Sequence, residues 1–142
     1  MSMRVTRRTI AAAGFLAAST CALAAGLQPG MWEVLSKTDV GGTVADAPAN
    51  RVCISPKAAE DIAQNLPKPG ARCTVLDVRT EGSRTSYGIE CTSDPTMRGQ
   101  AELTATPGAY EGTMRMMIKQ PKPGAPDIPM SVTFAGRRIG DC

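Results

Sequence analysis

Five cysteines punctuate this 142-residue chain, and their placement constrains it more than any other feature: Cys21 falls in an apolar N-terminal run, while Cys53, Cys73, Cys91 and Cys142 are spread over everything after it. Four well-separated cysteines behind an apolar leader predict an exported domain held by two structural disulfides. Zinc sites and dithiol redox pairs use Cys-x-x-Cys spacing, and no interval here comes near it. Spacing alone leaves all three connectivities open. We expect Cys53 with Cys73, clamping both ends of a helix-bearing excursion, and Cys91 with Cys142, tying down the chain end. The competing arrangement joins Cys73 to Cys91 across a hairpin.

The leader has the order of a secretory signal peptide: Arg4, Arg7 and Arg8, then an apolar, alanine-rich run over residues 10–25 ending in small residues. Cleavage is expected between Ala24 and Gly26, leaving 26–142 as a single β-rich exported domain, periplasmic or secreted. The run is shorter than the roughly 20 apolar residues of a spanning helix, so no membrane anchor is expected after cleavage. Arg7-Arg8 lacks the rest of a twin-arginine motif. Ala18-Ser19-Thr20-Cys21 lacks the large aliphatic residue of a lipid-attachment box. The sixteen basic residues less three in the leader leave thirteen, equal to the thirteen acidic ones. A neutral domain with scattered Lys and Arg has no electrostatic footprint for nucleic acid or an anionic membrane.

From Met31 onward apolar residues recur mostly at every second position between clusters of Gly, Pro, Asp and Asn, the pattern of half-buried strands. Trp32 and Val34 share one face of a first strand. A Gly- and Ala-rich loop over 41–50 leads to a short strand at 51–54. One helix follows, with Ser55 at the N-cap, Pro56 at its first position and Ala58, Ala59, Ile62, Ala63 and Leu66 at helical spacing before Pro67 stops it. Residues 73–80 and 84–92 form a hairpin about Glu81-Gly82-Ser83. Pairing 75 with 89 sets Cys73 and Val75 opposite Cys91 and Ile89 on one face, and a one-residue slip would lose that match. A second hairpin turns at Pro107-Gly108 and places Ala101, Leu103 and Ala105 opposite Met114, Gly112 and Tyr110. Met130, Val132 and Phe134 alternate in a last strand. The expected architecture is mostly β: a curled antiparallel meander of about six or seven strands with one inserted helix, its apolar face enclosing a core or groove.

Several segments together resemble a family of small secreted proteins of Gram-negative bacteria, domain of unknown function 3617. They are Pro29-Gly30-Met31-Trp32-Glu33-Val34, Cys53-Ile54-Ser55-Pro56, Cys73-Thr74-Val75, Cys91, Tyr110-Glu111-Gly112 and the closing Gly136-Arg137-Arg138-Ile139-Gly140-Asp141-Cys142. The resemblance implies a periplasmic or exported β-rich domain and carries no activity with it.

The chain contains no histidine, which removes Ser-His-Asp and Cys-His catalysis, histidine proton shuttles and the commonest metal ligand. No phosphate loop, nucleophile elbow or dinucleotide fingerprint is present. One Trp, two Tyr and two Phe give little lining for a sugar cleft. These exclusions point away from an enzyme, with no cofactor expected. Met114-Arg115-Met116-Met117, with Met97 and Met130, invites a copper(I) reading because thioethers are soft ligands. Alternation instead puts Met114 and Met116 inward beside Tyr110 and Ile118, where Met fills core space, and only Met117 outward. Arg137 and Arg138 fall on opposite faces of their strand. The leading expectation is therefore a non-catalytic binding or interaction domain. Its apolar face of Tyr110, Met114, Met116 and Ile118 would take a lipid-like small molecule or an envelope protein. The alternative is a methionine-based copper(I)-sequestering or envelope stress factor.

Overall fold

The computed structural model describes residues 26–60 and 66–142. The expected signal peptide and the helical positions Ile62 and Ala63 lie outside the described residues. The elements run β1 (Gly30–Val40), β2 (Thr43–Asp46), β3 (Asn50–Ile54), α1 (Pro56–Glu60), β4 (Cys73–Glu81), β5 (Arg84–Cys91), β6 (Met97–Thr106), β7 (Ala109–Ile118) and β8 (Ile128–Gly140). All eight strands join one antiparallel sheet in the order β2-β1-β8-β7-β6-β5-β4, with β3 also paired to β1. The count exceeds the expected six or seven because the 41–50 segment, expected as a loop, contains β2. There Val40 pairs with Thr43 across the Gly41-Gly42 turn.

Both expected hairpin registers are present. Cys73 pairs with Cys91 and Val75 with Ile89, while Ala101, Leu103 and Ala105 pair with Met114, Gly112 and Tyr110. The period-2 pattern follows, with Thr85, Tyr87, Ile89 and Cys91 buried on β5 and Ala101, Leu103 and Ala105 on β6. Trp32 is fully enclosed and stacks on Tyr110 at 5.6 Å. Its indole N–H donates to the Gln28 carbonyl at 3.0 Å, satisfying the one polar atom that burial would otherwise orphan. Large core residues of β7 and β8 lie over glycines on the paired strand. Phe134 covers Gly112 and Tyr110 covers Gly136, and a Cβ at either glycine would collide with the ring.

Ser55 caps α1, its Oγ accepting from the Ala58 amide at 3.2 Å. β3 and β4 lie on opposite edges of the sheet, and ahead of β4 Leu66 lies on the core, where the Tyr87 hydroxyl donates to the Pro67 carbonyl at 2.7 Å. Burial pushes the Tyr87 phenol well above its ordinary pKa.

The disulfides join Cys53 to Cys142 and Cys73 to Cys91, which corrects the expected pairing of Cys53 with Cys73 and Cys91 with Cys142. The reason lies in strand order. β3 and β4 are on opposite edges of the sheet with five strands between them, so Cys53 and Cys73 cannot meet. Cys73 instead lies directly opposite Cys91, Cα to Cα 4.0 Å. Met31 of β1 pairs with Cys53 on one side and Gly140 on the other, so a chain leaving β8 reaches round the end of β1 to β3. The Cys53 and Cys142 Cα atoms lie 5.7 Å apart.

Candidate binding groove

The residues expected to form a binding face are on the core side of the sheet. Met114 and Met116 are 3% and 2% exposed, packed with Leu66, Leu103 and Phe134. Tyr110 is half-buried between Trp32 and Phe134, and Ile118 is half-buried opposite Met97 and Ile128. Met116 pairs with Met130 across β7 and β8, whereas Met117 turns to the other face and is 45% exposed. The methionine-rich stretch is thus divided between two faces by the strand period.

The opposite face is polar and carries the groove. Its floor is β7 and β8, and its banks are β1 with β2 on one side and β5 with β6 on the other. The cross-strand registers arrange its side chains in rows. One row runs Arg84, Thr104, Glu111, Ala135, Leu35; the next Ser86, Glu102, Thr113, Thr133, Lys37, Asp46; the next Gln100, Arg115, Ser131, Asp39; and the last Arg98, Met117, Pro129. A cavity of about 720 Å³ lies over the first two rows, and a second of about 600 Å³ lies over the last two. Glu102, Thr113 and Arg115 line both, so the two cavities adjoin along one groove across the face. On the floor the short Thr113, Ser131, Thr133 and Ala135 leave space between the longer charged side chains of the banks.

Ion pairs fix both banks. Arg84 and Glu102 meet at 2.6 Å on one side, Lys37 and Asp46 at 3.5 Å on the other. The hydrogen bond that Arg84 donates to Glu102, then the charge of that carboxylate, raises the Arg84 pKa. The Asp39 carboxylate accepts the Gly42 amide at 2.8 Å and closes the β1–β2 turn. Arg98 and Arg115, both exposed, have no ion-pair partner among the described residues. Beyond the groove, Arg137 donates to Glu33 at 2.7 and 3.0 Å, and this contact holds the Glu33 carboxyl below its usual pKa. Arg138, on the other face as expected, donates to the Pro29 carbonyl at 2.8 Å and pairs with Asp141.

The groove residues were not singled out from the sequence. Arg98-x-Gln100-x-Glu102, Glu111-x-Thr113-x-Arg115 and Ser131-x-Thr133 are its only signal, and polar alternation of that kind equally describes a flat solvated face. Among the described residues no group of three or more His, Cys, Asp or Glu could hold a metal ion, and no helix is long and apolar enough to cross a membrane. The two disulfides fit an exported protein. A family model, Protein of unknown function (DUF3617), matches residues 27–142, and the chain belongs to that family. No curated protein and no solved structure matches it.

Proposed function

We propose that this member of the family is a non-catalytic exported binding domain, periplasmic or secreted, whose ligand lies in the polar groove. The observation that carries this reading is the division of the sheet into two faces. The apolar face is consumed by its own core, leaving Met114 and Met116 inaccessible, while the polar face keeps a groove with an ion pair on each wall. Ligand sites are concave and largely preformed, and the groove is a concave surface of this kind. The binding role is also supported by the chain's chemistry: it has no histidine, and the carboxylate at the centre of the groove, Glu102, is already engaged by Arg84.

The test is native mass spectrometry of protein recovered from its own envelope fraction, beside a Thr113→Trp variant. Thr113 lies on the groove floor and lines both cavities, so an indole there obstructs each of them from the polar face. The parent should carry a stoichiometric adduct that the variant lacks. An adduct equally present in both, or none in the parent, counts against the groove.

Copper(I) sequestration is the second reading, favoured by one observation: Met116 and Met130 are directly opposed across β7 and β8. Titration with copper(I) against a competing chelator, in parent and Met116→Leu/Met130→Leu proteins, distinguishes it. Tight binding by the parent alone would support the copper site.

A further inference from the structure

We propose that the Arg98 and Arg115 end of the groove binds the head of a small anionic amphiphile, a phosphate monoester bearing an apolar chain. This rests on the groove being the binding surface and names its ligand class. Arg98 lies opposite Met117 and Gln100 opposite Arg115, so the two arginines are diagonal neighbours on adjacent strands, within reach of each other's long side chains. Two exposed guanidiniums so placed can converge on one anion.

Among the described residues no carboxylate pairs with either arginine. Every other basic residue lining the groove has its own carboxylate: Lys37 has Asp46 and Arg84 has Glu102. Glu102, diagonal to Arg115, is held by Arg84 at 2.6 Å, and Asp39 is occupied by the Gly42 amide. Glu90, directly across from Arg98, makes no ion pair with it. A doubly charged phosphate offers each guanidinium an oxygen pair in the planar geometry that arginine favours. Gln100 and Ser131 flank Arg115 in its own row as neutral hydrogen-bonding partners.

The apolar half of the ligand follows from the adjoining row. Met117, 45% exposed, faces Pro129 directly beside Arg98. An exposed thioether beside a proline gives an adaptable apolar seat next to two cations. Inorganic phosphate would fill only the cationic half.

The experiment is an amide NMR titration of the mature chain at fixed ionic strength with hexyl phosphate, inorganic phosphate and hexyltrimethylammonium. Hexyl phosphate should shift amides around Arg98–Gln100 and Arg115–Met117 and bind at least about ten-fold tighter than inorganic phosphate, because the chain buries apolar surface. Arg98→Gln/Arg115→Gln should weaken it by about ten-fold or more through loss of charge-assisted hydrogen bonds, whereas Arg79→Gln, outside the groove, should not. Equal binding of the two phosphates, the same shifts with the ammonium compound, full affinity in the double variant or no shifts at all would each overturn the inference. Shifts confined to the Arg84 and Lys37 banks would overturn it while leaving the groove itself as the binding surface.

Discussion

Removing the Cys53–Cys142 bridge as Cys53→Ala/Cys142→Ala tests the connectivity and its energetic role together. The bridge spans 89 residues, with the 18-residue Cys73–Cys91 loop nested inside it. In the chain-entropy treatment a loop of that length constrains the unfolded chain by about 4.6 kcal/mol, and shortening it by the nested bridge lowers the figure to about 4.4. Packing adds little, because both cysteines are exposed. The loss is a large share of the 5–15 kcal/mol or so that holds an ordinary domain together. Urea unfolding should move its midpoint down by roughly 2 to 3 M at a typical slope for a domain this size. Trp32 is the only tryptophan in the chain and is fully enclosed, so its fluorescence reports global unfolding directly. A midpoint shift worth less than about 1 kcal/mol would refute the entropic reasoning. A peptide map joining Cys53 to Cys73 would refute the connectivity itself.

Gly136→Ala should destabilise by about 1–3 kcal/mol in the same urea assay, because its Cβ meets a Tyr110 ring already stacked on Trp32; Gly108→Ala, which faces open space, is the control expected to change little. Met114→Leu and Met116→Leu should each cost less than about 1.5 kcal/mol by urea midpoint, as volume-conserving swaps in a closed core, and a larger loss would mean that the thioethers do more than fill space. The Tyr87 phenol is neutral and buried, so its folded pKa lies above the ordinary value of 10.0, and the stability it contributes is intact below that pH and falls as pH rises through the folded value. Tyr87→Phe should flatten that alkaline decline in unfolding midpoints measured from pH 8 upward, and an unchanged slope would argue against the burial.

The strand registers could be read from the sequence because two constraints coincide in each hairpin. A turn such as Pro107-Gly108 sets the fold-back point, and the alternation of Ala101, Leu103 and Ala105 against Tyr110, Gly112 and Met114 admits one parity. The same register argument brought Cys73 opposite Cys91, yet the expected disulfide followed chain proximity around the helix instead. What chain proximity cannot reveal is that β1 sits between β3 and β8, which alone brings Cys53 to Cys142. β2 escaped notice because Thr43, Val44, Ala45 and Asp46 are all exposed and so carry no two-faced pattern. The groove escaped for a related reason. Alternation tells which side chains share a face, but the way the sheet curves decides whether a polar face is a groove or an ordinary wet surface.

The position of β8 has a consequence for how the domain is made. β8 is the last strand in sequence, yet it lies between β1 and β7, and Arg137 reaches Glu33 across 104 residues. Each half of the sheet can form hairpins from neighbouring segments, but the first strand has no long partner until the last one arrives. Such non-local closure is slow compared with local pairing. A chain emerging from its N-terminus would therefore leave the β8-facing edge of β1 open until almost all of it had emerged. That edge is the last long one in the sheet to be covered, so any unproductive pairing during folding would begin there.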